Sequence, residues 1–432
     1  MSLEDKTNNL SLNEHPSAEP ATANVDQVVT PWEVDGAIVD GKAVAIDYDR
    51  LIAQFGTKKI TPEVLERFER VTGHRPHRYL RRGMFFSERD LDAILTRYET
   101  GKPFFLYTGR GPSSDSMHLG HMIPFTFTKW LQDVFDVPLV IEMTDDEKFL
   151  FKPKLTIQDV KKFYIENSKD IIAVGFDPKK TFIFSDLNYV GGSFYENIVR
   201  VSRQVTTSTA KAIFGFTDTD CIGRIHFASI QISSGFSTSF PTIFGPNVNI
   251  PCLIPCAIDQ DPYFRLARDV SAKLKYYKPS LIHAKFFPAL QGSSSKMSAS
   301  DDNSAIFMTD TAARIKNKIT KHAFSGGQDT LEKQKKYGGN PDVDVAYQYL
   351  SFFVESDEEM QQIHDDYRSG KLLTGELKAM CIKELQAFIA DFQEKRKAVT
   401  DDIVAHFGNP NRTFTWGETP RLVPVKQDEK KK

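Results

Sequence analysis

The chain has 432 residues, 40% hydrophobic and 26% charged, a composition typical of a soluble globular protein with two or three domains. Its 55 basic and 57 acidic residues give a formal charge of −2, so a polyanionic partner would require a local basic patch. Four cysteines are too few for a disulfide framework, and no apolar run reaches the ~18 to 20 residues of a membrane span.

The first hundred residues divide into two parts. Residues 1–30 are polar and acidic, which predicts a disordered leader and is unlike a signal or transit peptide. We therefore expect a cytoplasmic location. Residues 31–100 are predicted to form an N-terminal extension of a hairpin and helices. In it, β-type runs at 37–39 and 43–46 flank Asp40-Gly41, a dipeptide suited to a tight turn.

Between residues 101 and 308, short β-rich runs alternate with segments of helical length. The candidate strands lie at residues 104–108, 139–143, 181–184, 252–258 and 284–287. This alternation predicts an α/β fold, a doubly wound parallel-sheet (Rossmann) domain. Ligands of such sheets bind beyond the carboxyl ends of the strands.

Residues 309–432 lack strand signals and predict an all-helical C-terminal domain with a polar tail. Thr374 is suited to cap a long helix. The apolar stripe of that helix is predicted at Leu377, Cys381, Leu385, Phe388, Phe392, Val399 and Ile403.

A glycine-rich turn follows the first strand of the α/β region, before a helix predicted to begin near Ser116. Backbone amides at such a turn and helix start favour phosphate. His118 and His121 are spaced to share one helix face, and Gly120 would let a flat base approach the backbone. Both histidines are predicted to be catalytic. The ATP-binding residues predicted here are Thr108, Gly109, Arg110, Gly111, Ser113, Ser114 and Gly120.

A second motif, at residues 291–300, is small and polar and predicts a mobile loop. Lys296 supplies an ammonium suited to a leaving pyrophosphate, and Ser298 a hydroxyl, so both are predicted to be catalytic, with Met297 next to ATP. An amino acid carboxylate, with a pKa near ~3.5, needs no general base to attack the α-phosphorus. Charge stabilisation by donors, cations and Mg²⁺ bridging the phosphates is the catalytic requirement. No metal site formed by the protein itself is predicted.

With these motifs, the chain resembles the class I aminoacyl-tRNA synthetases, and within them the cytosolic, eukaryotic-type tryptophanyl-tRNA synthetases. The similarity extends from about residue 32 to 407. Its most diagnostic stretches are residues 107–114, 143–148 and 258–262 and the Lys296 loop. The resemblance implies ATP-dependent formation of tryptophanyl-adenylate, transfer to the 3′-terminal ribose of tRNA(Trp), and a homodimer.

The resemblance also implies a tryptophan site. Its residues would be Tyr107, Glu142, Glu147, Gln231, Asp259 and Gln260, with Glu147 near the ammonium group and Tyr107 near the indole N–H. Two positions depart from the common pattern. Glu142 stands where similar enzymes have Gln, so a buried carboxylate must be protonated or paired. Ala299 replaces the second lysine of the loop motif, leaving Lys296 as its cation.

The helical region is where similar enzymes recognise the anticodon. Asp329 falls at the implied contact, although its neighbour Gln328 replaces an Arg of some relatives. A basic run could form a patch for the tRNA backbone or a simple solvated face. Its members are Arg314, Lys316, Lys318, Lys321, Lys333, Lys335 and Lys336.

Three alternatives remain open at this stage. Tyrosyl-tRNA synthetases share the fold and chemistry but commonly lack the second signature histidine, which is His121 here. Nucleotidyltransferases of the HxGH type would explain the first motif but are usually one small domain. A non-catalytic binding protein descended from a synthetase would be expected to have lost His118, His121 or Lys296.

Overall fold

The computed structural model describes residues 26–39, 42–297 and 301–415, with only the backbone for residues 42–43 and 293–296. The strands of this part are β1 (Val28–Val29), β2 (Val34–Asp35), β3 (Ile38–Val39), β4 (Lys42–Ala43), β5 (Lys58–Lys59), β6 (Phe85–Arg89), β7 (Phe105–Arg110), β8 (Leu139–Met143), β9 (Thr181–Ser185), β10 (Cys252–Ala257), β11 (Ser280–Ala284), β12 (Pro288–Ala289) and β13 (Gly292–Lys296).

The helices of the same residues surround these strands and make up the C-terminal part. They are α1 (Tyr48–Phe55), α2 (Pro62–Thr72), α3 (Arg78–Arg81), α4 (Leu91–Glu99), α5 (Leu119–Phe135), α6 (Asp145–Phe151), α7 (Ile157–Ile172), α8 (Asp186–Tyr189), α9 (Gly192–Ser202), α10 (Thr207–Phe214), α11 (Ile222–Ser233), α12 (Pro241–Phe244), α13 (Asp261–Leu274), α14 (Ala312–His322), α15 (Leu331–Tyr337), α16 (Val345–Phe353), α17 (Asp357–Arg368), α18 (Thr374–Lys397) and α19 (Asp401–Gly408). Within the described ranges, no helix is long and apolar enough to cross a membrane.

A seven-stranded sheet in the order β5-β6-β11-β10-β7-β8-β9 forms the centre of the molecule. Strands β11, β10, β7, β8 and β9 are parallel. At one edge β6 runs antiparallel to β11, and β5 runs antiparallel to β6. The chain moves outward from β7 through β8 to β9 and then returns to β10 on the other side of β7. This reversal opens a crevice at the carboxyl ends of β7 and β10, where doubly wound folds bind ligands.

Alternating side chains of the parallel strands enter two apolar cores, one on each face of the sheet. On β7, Phe105 and Tyr107 belong to one core and Leu106 to the other. The core that contains Leu106 continues into the C-terminal helices through residues such as Tyr349 and Leu385. The C-terminal helices therefore pack directly on the α/β sheet.

The predicted doubly wound α/β fold with a helical C-terminal region is confirmed, and four of the five predicted strands match to within two residues at each end. The fifth was misplaced, because β11 ends at Ala284, where the prediction began. β3 and β4 form the predicted hairpin, while its turn at residues 40–41 lies outside the described residues. The predicted disordered leader, residues 1–30, lies outside the described residues up to residue 25. Its last part differs from the prediction, because Val28–Val29 form β1, which pairs with β2.

Three local predictions were wrong. The extension contributes strands β5 and β6 to the central sheet in addition to its hairpin and helices. Thr374 is the first residue of α18, whose N-cap is Leu373. The apolar stripe was predicted on a single helix, but α18 ends at Lys397 and Ile403 lies on α19. Ile403 is 36% exposed, and the buried residues of α19 are Val404 and Phe407.

Candidate active site

A cavity of about 290 Å³ lies at the crevice between β7 and β10. Its wall brings together residues predicted from well-separated parts of the sequence: Tyr107, Thr108, Gly109, Arg110, Gly111, His118, Gly120, His121, Glu147, Gln231, Asp259, Gln260 and Met297. The strand ends and the first turn of α5 position them. Residues of both motifs and five of the six implied tryptophan residues therefore line one cavity, which we name the catalytic cavity.

His118 and His121 lie side by side at the start of α5. His118 is the N-cap, so the helix begins at Leu119, three residues later than predicted. The two imidazole rings stack with centroids 3.5 Å apart and an interplanar angle of 22°. The backbone N–H of His118 donates to Nδ1 of His121 at 3.4 Å, a reciprocal cap that holds both rings at the helix N-terminus. This end of a helix favours an anion.

Two glycines of the first motif lie in close contact with neighbouring side chains. A Cβ at Gly111 would lie 1.9 Å from Cε of Lys148, and one at Gly120 would lie 3.2 Å from the ring of His118 and 3.3 Å from Phe287. Gly120 thus lets the histidine ring fold back against the helix, in addition to the predicted room for a base.

The first half of the second motif forms strand β13, although a mobile loop was predicted for residues 291–300. β13 pairs with β12 and β2, and Lys296 is its last residue. Met297 is buried, and its N–H donates to Phe287 at 3.3 Å, which places it in the wall of the catalytic cavity. The side chain of Lys296 and the whole of Ser298 lie outside the described residues.

Glu142 lies behind the cavity wall and is fully buried. Its carboxylate accepts a hydrogen bond from the hydroxyl of Tyr107 and another, at 2.6 Å, from Ser234. Burial raises the pKa of Glu142 to about 8, and the two hydroxyl donors only partly oppose this effect. At neutral pH a retained proton and two hydroxyl partners therefore meet the predicted cost of a buried carboxylate, and Tyr107 lines the cavity.

Glu147, which is also predicted to contact tryptophan, lines the catalytic cavity. Its carboxylate lies 2.8 Å from the ammonium of Lys148 and accepts from the hydroxyl of Thr144 at 2.9 Å. The side-chain amide of Gln231 donates to Gln260 at 3.1 Å, which fixes both amides in the wall. A substrate ammonium would meet a positioned carboxylate and amide oxygens here.

Three aspartates beside the tryptophan site form a buried acidic cluster. Oxygens of Asp145, Asp146 and Asp186 lie within 4.8 Å of one another, a spacing that a cation could bridge. Burial raises the pKa of Asp146 to about 6 and that of Asp186 well above its usual value. Ser185 donates to Asp145. Burial therefore favours the protonated forms of Asp146 and Asp186.

Three of the other predicted ATP residues, Thr108, Arg110 and Ser114, have hydrogen-bond partners in the fold. The hydroxyl of Thr108 donates to Pro255 at 3.1 Å, which links β7 to β10. Arg110 donates to Asn167 at 3.3 Å, and burial lowers the pKa of this arginine to about 10. The carbonyl of Ser114 accepts from Asn167 at 2.7 Å, whereas Ser113 and Ser114 are absent from the cavity wall.

The predicted anticodon residue and the basic run lie in the helical region. Asp329 is exposed and pairs with Lys333 at 2.9 Å. Lys318 is buried and pairs with Asp310 at 2.8 Å, so it stabilises the fold and cannot contribute to a surface patch. The exposed lysines of the run at positions 316, 321, 335 and 336 remain available.

Two positions at the candidate site were not predicted from the sequence. Ser234 supports Glu142 from the end of α11, and no local pattern distinguishes it from the other buried serines. Lys285 lines the catalytic cavity immediately after β11. Lys285 lies within residues 284–287, which were predicted to form a strand. A charged residue in that apolar run was the signal that could have identified it.

A parallel sheet with a histidine pair at its topological switch point defines a nucleotide-binding α/β enzyme of the Rossmann class. A family model for class I tRNA synthetases (W and Y) matches residues 99–231 and 248–390. The chain belongs to this family of class I tRNA synthetases.

Similar proteins cover nearly the whole chain. The cytoplasmic tryptophan–tRNA ligase of Saccharomyces cerevisiae is 64% identical over 410 residues, 94% of this chain and 95% of its own. The human enzyme of the same name is 58% identical over 394 residues, 91% of this chain and 83% of its own. The crystal structure of Plasmodium falciparum tryptophanyl-tRNA synthetase superimposes with a TM-score of 0.80 at 46% identity, covering 85% of this chain and 98% of that one.

Proposed function

We infer that this chain is a cytoplasmic tryptophan–tRNA ligase. It activates L-tryptophan with ATP to give tryptophanyl-adenylate and pyrophosphate, then transfers the tryptophanyl group to the 3′-terminal ribose of tRNA(Trp). Relatives that carry this name cover more than nine-tenths of the chain at 58% and 64% identity. The enzyme thus belongs to the ligases of protein biosynthesis.

In the activation step, the tryptophan carboxylate attacks the α-phosphorus of ATP, and the bond to the β-phosphate oxygen breaks. We propose that His118 and His121, at the N-terminus of α5, and the backbone of Gly109 to Gly111, at the end of β7, hold the phosphates, because all of them line the catalytic cavity. Lys296 and Ser298 would meet the departing pyrophosphate, with Met297 against the nucleotide.

In the transfer step, a hydroxyl of the terminal ribose attacks the acyl carbon of the adenylate. The bond to the phosphate oxygen breaks, AMP leaves, and the hydroxyl proton is released. The departing AMP anion is stabilised because its phosphate is held by the same donors that act in the activation step. The reaction therefore needs the terminal ribose to enter the catalytic cavity while tryptophan stays in place.

The arrangement of Tyr107 carries the choice of tryptophan. Because its hydroxyl hydrogen points to Glu142, the phenol oxygen is left as an acceptor towards the cavity, and an indole N–H can only donate. Tryptophan-dependent ATP–pyrophosphate exchange is the direct test. We expect exchange with tryptophan and none with tyrosine, and exchange with tyrosine alone would reject the assignment in favour of the tyrosine enzymes of the same family.

We propose that Mg²⁺ enters with ATP, held by the phosphate oxygens. Glu147, the carboxylate nearest the glycine turn, is already paired with Lys148, and the turn itself offers N–H donors. These groups suit phosphate better than a bare metal ion. The ion would neutralise charge on the leaving pyrophosphate.

We also propose a homodimer. Tyr195 and Val199, four residues apart on α9, are 55% and 51% exposed, and Ile222 at the start of α11 is 84% exposed. Three large apolar side chains at the surface of two helices in contact favour burial against a second copy. Asp329 and the exposed lysines of the helical region are proposed to contact tRNA(Trp).

A further inference from the structure

A second cavity, of about 580 Å³, adjoins the catalytic cavity. The groups proposed to act in activation and transfer, where the structure describes them, lie in the catalytic cavity. Lys285 and Phe286 line both cavities. The other walls come from α1, from the end of α3, and from α16 and α17 of the helical region. Its volume is in the range of about 300 to 1,000 Å³ typical of ligand pockets.

The second cavity carries an excess of positive charge. Its charged wall residues are Arg81, Arg82, Lys285 and Asp357. Asp357 already accepts from Arg81 at 2.7 Å and Arg82 at 2.8 Å, while Lys285 makes no ion pair within the described part of the chain and packs over the ring of Tyr48 at 5.3 Å. A cation with no carboxylate of its own favours an anionic ligand.

The wall also carries uncharged polar side chains. Gln348 and Ser351 of α16 line it, and the side-chain amide of Gln348 donates to the carbonyl of Asp342 at 2.7 Å. Tyr48, Phe286, Tyr347 and Phe352 add aromatic surface to the same wall.

We propose that the second cavity binds nucleotides of the single-stranded 3′ end of the tRNA during transfer. Cations that follow a phosphate backbone, combined with aromatic rings for the bases, are the usual features of single-strand sites. The shared wall at Lys285 provides continuity with the place where the terminal ribose reacts. This proposal rests on the proposed function, because only a tRNA-charging enzyme has such an end to guide.

The chain offers a matched pair of variants for the test. Gln361 and Gln362 are neighbours on α17, and each donates to an aspartate four residues later at 2.9 Å. Gln361 lines the second cavity and Gln362 does not. Gln361→Glu and Gln348→Glu would place a negative charge in the cavity, whereas Gln362→Glu makes the same change outside it.

We expect transfer from preformed tryptophanyl-adenylate to tRNA to slow by on the order of tenfold in Gln348→Glu, and several-fold in Gln361→Glu, because like charges repel the phosphates. Gln362→Glu should match the wild type, and tryptophan-dependent ATP–pyrophosphate exchange should be unchanged in all three. Equal charging by the Gln361 and Gln362 variants, or exchange that falls along with charging, would overturn the proposal.

A tRNA trimmed of its single-stranded 3′ nucleotides provides the second measurement. The Gln348→Glu variant should bind intact tRNA more weakly than the wild type does. It should bind trimmed tRNA as tightly as the wild type binds trimmed tRNA. Equal weakening for both tRNAs would reject the cavity as a site for the 3′ end. Absence of exchange in the wild-type enzyme would instead reject the proposed function, so the two failures are distinguishable.

Discussion

The hydroxyl of Tyr107 donates to the buried carboxylate of Glu142, which also accepts from Ser234 at 2.6 Å. The three groups form a chain that ends at the wall of the catalytic cavity. The direction of the hydrogen bond between Tyr107 and Glu142 decides whether the Tyr107 hydroxyl accepts a hydrogen bond from the substrate or donates one to it. Because burial raises the pKa of Glu142 to about 8, that direction depends on pH near neutrality.

The KM for tryptophan should therefore fall several-fold as the pH rises from about 6.5 to 8.5. Ionised Glu142 accepts from Tyr107 and leaves the phenol oxygen to accept from the indole, whereas protonated Glu142 can donate to Tyr107 and reverse the chain. Steady-state exchange kinetics across this range measure the effect. The control is Glu142→Gln, which cannot ionise and should show a flat profile. Parallel profiles for the two proteins would disprove the role of Glu142.

The same carboxylate should affect stability. The pKa of Glu142 is raised in the folded state, so between the unfolded value near 4.5 and about 8 the folded protein holds a proton that the unfolded chain has lost. Folding is thus disfavoured progressively as the pH rises through this interval. Glu142→Gln should gain roughly 1 to 3 kcal/mol relative to the wild type between pH 5 and 8. A difference in the free energy of unfolding that does not change with pH would contradict this.

Ser234→Ala should weaken tryptophan binding by about 1 kcal/mol, or roughly fivefold in KM, since it removes one of the two hydroxyls that orient Glu142. The KM for ATP should change little. Ser271→Ala is a suitable comparison, because this buried hydroxyl on α13 donates only to the backbone of Ala267. If both variants raise the KM for tryptophan alike, the effect is one of general packing.

A buried ion pair joins β6 to α13, and it predicts an acid-sensitive fold. Burial alone would raise the pKa of Asp261, but Arg89 at 2.7 Å and His283 at 3.0 Å outweigh it and hold that pKa at about 2. The pKa is depressed on folding, so its stabilisation is complete above the unfolded value near 3.8 and is lost as the pH falls through 2.

Asp261→Asn should therefore cost about 3 to 5 kcal/mol at neutral pH, because Arg89 is left buried without its carboxylate. The difference from the wild type should shrink between pH 4 and 2. Chemical unfolding at several pH values measures both effects. A destabilisation that persists unchanged at pH 2 would argue that the loss is steric.

Val199→Asp should convert the protein from a dimer to a monomer, because a carboxylate would then be buried in the proposed interface. Light scattering after size-exclusion chromatography gives the mass directly. Lys161→Asp, at an exposed position of α7, serves as a control for the added charge. A monomeric wild type, or a dimeric Val199→Asp variant, would place the interface elsewhere.

The sequence predicted the strands whose side chains are buried on both faces, because continuous apolar runs such as residues 139–143 have few other interpretations. Strands β5 and β6 were missed for the opposite reason. β6 mixes Phe85 and Phe86 with Glu88 and Arg89, and its pairing with β11 is a long-range contact that no local pattern encodes.

The candidate site divides in the same way. His118, His121 and Glu147 occur in local motifs, so their place in one cavity could be predicted from the chain. Ser234 could not, since its importance comes from touching Glu142, which is 92 residues away in sequence. The strand β13 was predicted as a loop because its serines have low strand propensity and its partners β2 and β12 supply the pairing.

A double-mutant cycle in ATP–pyrophosphate exchange tests most directly whether the two motifs act on one triphosphate. The variants are His118→Ala, Lys296→Ala and the combination, compared by kcat/KM for ATP at saturating tryptophan. We expect each single change to reduce kcat/KM by a hundredfold or more, on the order of 3 kcal/mol, and the double variant to lose clearly less than the product of the two. Losses that multiply without coupling would show that the histidine pair and the lysine act on separate sites, and would contradict this account of the catalytic cavity.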